Sequence, residues 1–335
     1  MLALRVLLGF LPVSLFLTSL VYLDSYKLVR LRTIVQLILA GCAVATFSYF
    51  VNQELLGRAV IDSRYVTRFA SPAVEETLKA LPVLFLLRTR RIGFLVDAAI
   101  FGFAIGTGFA LVENLYYLFA LPDASFTLWV VRGFGTAVMH GCTTSVVAMA
   151  AKALQQRNES ASLWPALPGL VAAWIIHSTF NQFALSPLLA TILIITTLPP
   201  LLVLVFGQSE RYLQDWLGSG FDLDTDLLKA ITSGSFALSR PGQYLQSLRE
   251  HFEGPVLADM LCYLRLQTEL SLRAKGILML RESGFPVKKD VEVDSKLEEI
   301  RSLKESIGKT GQLALSPILH SSAHDIWQLH MLKGS

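Results

Sequence analysis

Seven hydrophobic stretches follow one another along the first two thirds of the chain, at about 2–23, 33–52, 72–87, 94–120, 127–152, 164–184 and 187–206. A bilayer core of about 30 Å takes about 20 apolar residues of helix. The pattern predicts an all-α fold, a polytopic transmembrane helix bundle of about seven spans. The first stretch is longer than the apolar region of a secretory signal and no clear small-x-small cleavage site follows, so it is expected to be a retained span. In the fourth, Gly102, Gly106 and Gly108 would let neighbouring helices approach closely. In the last, Pro199-Pro200 is expected to kink or split the helix.

After residue 206 the pattern changes. Leu257, Leu261, Leu264, Leu266, Leu270 and Leu272 recur at helical spacing between Gly254 and Glu282, and Lys296 to Ile307 forms a second amphipathic run. Gly284, Pro286 and Lys288-Lys289 interrupt the two. The expected organisation is a transmembrane domain over 1–206 and a cytoplasmic, soluble α-helical domain over 207–335. His320 and His324 in the tail are four apart, with His330 nearby, but they lack the Cys or carboxylate arrangement typical of a zinc site, so a solvated surface pair is expected there.

Loop charge predicts sidedness. Lys27, Arg30, Arg32, Arg88, Arg90, Arg91, Lys152 and Arg157 fall on one side; Arg5, Arg58, Arg64, Arg68 and Arg132 fall on the other. The excess predicts the N-terminus outside and the C-terminus in the cytoplasm. Three arginines between the second and third stretches run against that bias.

Of the 335 residues, 53% are hydrophobic and 16% charged, against about 25% charged in a soluble chain. The formal net charge of +3, with no basic patch carrying interleaved aromatics, gives no sign of nucleic-acid binding. Cys42, Cys142 and Cys262 are too dispersed for a disulfide framework or a metal-ligand spacing and read as unpaired thiols.

The candidate chemistry lies in the polar residues inside the apolar stretches. A charged residue at the bilayer centre costs roughly 2.5 kcal/mol or more, so such a residue reads as functional by default. Glu75 and Glu76 are adjacent in the third stretch, with Lys79 at helical spacing from both. Lys79 can neutralise one carboxylate and leave the other as a base; solvation at the end of a short span is the plainer alternative. Glu113 and Asn114 lie deep in the fourth stretch, where Asn114 could equally be a clamp between helices. His140 lies in the fifth, and His177 and Asn181 share one face of the sixth. These groups suit peptide hydrolysis: a glutamate takes a proton from water, histidines hold a metal or move protons, and an amide steadies an oxyanion. There is no Gly-x-Ser-x-Gly elbow, no buried Asp pair and no His-Glu-x-x-His.

In order, Glu-Glu-x-x-Lys (Glu75, Glu76, Lys79), Phe-x-x-x-Glu-Asn (Phe109, Glu113, Asn114), the separate His140 and His-x-x-x-Asn (His177, Asn181) resemble the PrsW-type intramembrane proteases over roughly 70–185. These are related to the CAAX prenyl endopeptidase and Abi group, which has His where Glu113 stands. The resemblance implies an integral protein of the bacterial inner membrane. It also implies site-specific regulatory cleavage of a membrane-embedded or membrane-proximal protein, such as an anti-sigma factor. Two mechanisms stay open. Glu113, His140 and His177 could hold zinc with Glu76 as base. Alternatively Glu76 activates water without a metal, helped by His177 and Asn181, and this version is slightly preferred. A proton-coupled transporter or channel is the competing expectation, and a scaffold whose polar residues only join helices is a third.

Overall fold

The computed structural model describes residues 2–58, 62–158, 164–182, 184–287, 292–319 and Leu332. His320, His324 and His330, and the Lys288-Lys289 break, lie outside the described residues. No strand occurs among those described. The chain divides into two compact units, residues 1–210 and 211–335.

The first unit contains α1 (Leu2–Leu23), α2 (Leu31–Arg58), α3 (Ser71–Arg88), α4 (Leu95–Ala120), α5 (Val138–Asn158), α6 (Leu167–Asn181) and the start of α7 (Pro187–Thr232). Local sequence explains the helix starts. Pro72 and Pro168 occupy first-turn positions of α3 and α6, where a missing N–H leaves no bond unmade. At the start of α4, Asp97 Oδ2 accepts the backbone N–H groups of Gly93 (2.8 Å) and Phe94 (3.3 Å). Two π-helical turns interrupt the α pattern, Val66–Ala70 ahead of α3 and Val131–Ala137 ahead of α5. Such turns are rare and often adjoin functional sites.

Among the described residues, five helices are long and apolar enough to cross a membrane: Leu2–Leu23, Leu31–Gly57, Leu95–Ala120, Phe126–Gln155 and Pro187–Thr232. The remaining two of the seven expected stretches form α3 and α6. The first carries Glu75, Glu76 and Lys79, and the second has only 15 residues, roughly 22 Å of helix. The expected split at Pro199-Pro200 does not occur, because α7 runs through both prolines as one helix. Two absent N–H groups remove two rungs of the ladder while the bonds on either side keep the helix continuous.

α4 is the central element: all but its last turns are buried, including Phe103, Ala104 and Ile105. Glycine makes that possible. A Cβ on Gly106 would lie 2.2 Å from His140 O of α5, and one on Gly108 would lie 2.0 Å from Ile38 O of α2. Both backbones therefore touch α4 directly, as expected from the small residues. The outward faces of this unit stay apolar, with Leu39, Phe47, Phe119 and Leu204 exposed. A bundle facing lipid presents such a surface.

The second unit holds the end of α7, α8 (Arg240–Ser247), α9 (Gly254–Glu282) and α10 (Glu292–Leu319), the last broken at Gly308, whose φ is 64°. Leu264 and Leu270 of the periodic run are buried and pack with Met260, Ile300 and Leu315 in a core of its own. Lys275, also buried, donates to Asp224 Oδ2 (2.7 Å) and Gly220 O (2.9 Å).

Two predictions follow from packing and burial. Gly106→Val forces apart backbones in contact and should destabilise by about 1–3 kcal/mol, whereas Gly57→Ala, which meets nothing within 4 Å, should be neutral or stabilising. Thermal unfolding of the purified variants in detergent checks the pair; equal melting temperatures would refute the close packing. In the turn after α1, burial first and the Asp97 charge second push the Asp24 carboxyl up to about 7. Its unfolded value is lower, near 3.9, so the fold favours the protonated form. That contribution is complete below about pH 4 and is lost as pH rises towards 7. Asp24→Asn should therefore melt above wild type at pH 8 and converge with it near pH 4; a constant offset would show that Asp24 does not titrate in this range.

Candidate active site

The polar residues of the short helices meet in the interior of the first unit. α3 supplies Glu75, Glu76 and Lys79. Glu76 Oε1 lies 2.7 Å from Lys79 Nζ, 2.8 Å from His177 Nδ1 of α6 and 3.4 Å from Thr143 Oγ1 of α5. Glu76 and Lys79 are fully buried. Lys79 also lies 3.1 Å from His140 Nδ1 of α5. An ammonium only donates, so His140 Nδ1 accepts and its proton sits on Nε2. That nitrogen lies 2.9 Å from Glu113 Oε2 of α4.

Glu113 is held in turn. Arg132, from the π turn ahead of α5, places Nη2 3.3 Å from Glu113 Oε2 and stacks its guanidinium 3.8 Å from the Tyr117 ring centroid. Arg132 Nε donates to Asn114 Oδ1 (2.8 Å), whose amide donates to Gly9 O of α1 (2.6 Å). Asn114 thus has the bonds of a clamp joining three segments. Arg132 and Lys152, counted on opposite sides in the sidedness comparison, are both buried within helices and not in loops, so removing both leaves the excess unchanged.

The structure brings Glu75, Glu76, Lys79, Glu113, His140 and His177 into one connected network. Asn181 lines the adjoining cavity of about 780 Å³, together with Glu75, Glu113, Arg132 and His177. Glu76, expected as the base, does not line that cavity. The carboxylates that reach it are Glu75 and Glu113. Asn52 of α2, which donates to Glu75 Oε1 (2.9 Å), and Thr143 carried no distinguishing sequence signal. Arg132 did: it is a charge inside a hydrophobic stretch and could have been found by the rule that selected Glu113.

Among the described residues, the potential ligand atoms of Glu75, His140 and His177 converge, all within 4.8 Å of one another. Glu113, expected in that set, instead bonds His140 and Arg132. Two imidazoles and a carboxylate are a donor set used by catalytic zinc. His177 fits well: Glu76 takes Nδ1 and Nε2 faces Glu75 Oε2 at 3.7 Å, the arrangement in which a carboxylate orients a ligating imidazole. His140 is more constrained, since a metal would compete with Lys79 or Glu113 for its ring nitrogens. Glu75 suits the role as well, because Glu76 and Glu113 are already paired with Lys79 and Arg132.

Removing one partner of a buried ion pair strands the other. Lys79→Met should cost about 3–5 kcal/mol of stability, and adding Glu76→Gln should recover part of that loss. Unfolding of both variants in detergent measures the coupling; a Lys79→Met protein as stable as wild type would show that the pair does not hold the site.

Residues 30–206 match a family described as PrsW family intramembrane metalloprotease. No curated protein matches the chain, and no solved structure does. The matched stretch covers more than half of the 335 residues and includes every member of the buried network except Gly9. On that match, the chain belongs to the PrsW family of intramembrane metalloproteases.

Proposed function

We propose that the chain is an intramembrane endopeptidase that cuts a membrane-embedded or membrane-proximal protein in the cavity of its first unit. The observation that carries this reading is the convergence of Glu75, His140 and His177 beside a cavity lined by a further carboxylate, Glu113. A volume of about 780 Å³ admits a short unfolded stretch of peptide, not a folded domain.

Glu75, His140 and His177 would hold the metal, and zinc suits this donor set. Bound there, it would lower the pKa of a water and polarise the scissile carbonyl. Family membership and the orientation of His177 favour this over the metal-free route preferred from sequence. Glu113, at the cavity wall and anchored by Arg132, is placed to take the proton from the attacking water and return it to the departing amine. Glu76 acts behind the reacting atoms: it holds the His177 ring through Nδ1 and is itself neutralised by Lys79, while a neutral His140 would bind the metal through one ring nitrogen and keep its proton on the other, giving up its present contact with Lys79 or with Glu113. The Asn181 amide, on the same cavity, is suited to donate to the oxyanion.

The Lys/Arg bias favours a cytoplasmic second unit, a helical domain beyond the catalytic one, and family membership suggests the bacterial inner membrane. An anti-sigma factor is the regulatory substrate that family membership suggests. A proton-coupled transporter gains nothing from the comparisons, and the network ends at a cavity suited to a peptide.

Glu75→Gln, Glu113→Gln and His177→Ala should each abolish a specific membrane-protein fragment while the proteins stay inserted and folded, and Asn181→Ala should slow its appearance about 100-fold. Quantitative proteomics of whole membranes from a host lacking the native protein finds the fragment. Purified wild type should carry about one zinc per chain, lost in His177→Ala. Cleavage that survives chelation with no metal bound would return the mechanism to the metal-free route, and an unchanged fragment pattern in all variants would refute the protease reading.

A further inference from the structure

Arg64 and Arg68 stand on the wall of the same cavity as Glu75, Glu113 and His177. Two observations set them apart. The first is sidedness. They lie between α2 and α3, in the segment that loop charge assigns to the outer side, where arginine runs against the general bias. The second is pairing. Arg132, also on this wall, has its charge met by Glu113 at 3.3 Å. Among the described residues, neither Arg64 nor Arg68 has a carboxylate partner. The nearby Asp62 side chain instead accepts the backbone N–H of Arg64 at 2.9 Å.

The backbone fixes where these guanidiniums start. Arg64 belongs to the short helix Ser63–Tyr65 and Arg68 to the π turn Val66–Ala70 that leads into α3. The π turn is tied to α6 through Trp174 Nε1, which donates to Phe69 O at 3.0 Å. Arg68 is therefore mounted on a segment bonded to the helix that carries His177. Arg64 is exposed and Arg68 half-buried, which suits a path from solvent towards the buried network.

We propose that Arg64 and Arg68 form a recognition subsite for an acidic side chain of the protein substrate, on the outer side of the scissile bond. A guanidinium presents planar paired donors that match a carboxylate. An anionic lipid headgroup offers similar chemistry, but the shared wall with Glu75 and His177 favours the peptide. The proposal rests on the protease reading and adds its substrate class.

The test uses the purified full chain in phosphatidylcholine vesicles with a library of single-span peptides. Their outer flanks are randomised among Asp, Asn and Lys, and products are read by mass spectrometry. Wild type should favour Asp over Asn at a fixed distance from the cut by about tenfold or more. R64E/R68E should invert the choice towards Lys, and that gained cleavage also proves the variant folded. Equal cleavage of Asp and Asn peptides by wild type would overturn the subsite while leaving the protease intact. If that indifference came with a rate raised by adding phosphatidylglycerol, and the gain were lost in R64E/R68E, the arginines would serve lipid instead. No cleavage of any peptide by wild type, with Glu75→Gln identical to it, would overturn the protease reading and the subsite with it.

Discussion

One carboxylate oxygen organises the interior of the first unit. Glu76 Oε1 receives Lys79 from its own helix and His177 from α6, at 2.7 and 2.8 Å, with no exposure to solvent. An isolated charge taken from water into protein costs several kcal/mol, and attraction at contact distance offsets it only when the geometry is good. The partners must stay where they are, because losing either leaves a buried ion. That constraint locks α6 to α3 and fixes the rotation of the His177 ring. Lys79 then extends the chain of contacts to His140, and His140 extends it to Glu113.

The network could not form between helices at ordinary separation. A side-chain layer holds packed helices about 8–10 Å apart. Where Gly106 faces His140 O and Gly108 faces Ile38 O, that layer is missing on the α4 side. α4 can then bring Glu113 to His140 of α5. The π turn ahead of α5 adds Arg132 to the same group. Glycine spacing is thus a condition for the chemistry as well as for the packing, and the polar cluster sits behind a wide apolar surface suited to lipid.

The electrostatic layout divides the carboxylates by task. Glu76 is enclosed and neutralised; Glu75 and Glu113 reach the cavity. Glu76 is paired with Lys79 and Glu113 with Arg132, which leaves Glu75 as the carboxyl available to a cation beside two imidazoles. The pairing with Glu113 also explains why Arg132 sits buried at a place where a lone arginine would be costly.

Much of this was legible in the residues. The apolar stretches place the helices, the heptad-like leucines mark α9, and the cost of burying charge singles out Glu75, Glu76, Lys79, Glu113, His140 and His177. Spacing alone also brings Lys79 within reach of Glu75 and Glu76, four and three residues away, without choosing between them. Pairings across helices were not legible, since they depend on rotation and depth, which the hydrophobic pattern leaves free. Nothing in the order of residues says that Glu113 turns to His140 and Arg132, that Glu75 joins the two histidines, or that Glu76 is shut off from the cavity. The hydrophobic pattern fixes which charges are buried, because it sets the cost of placing them there. Which charge meets which follows from the fold, because distances between helices are set by packing and not by position along the chain.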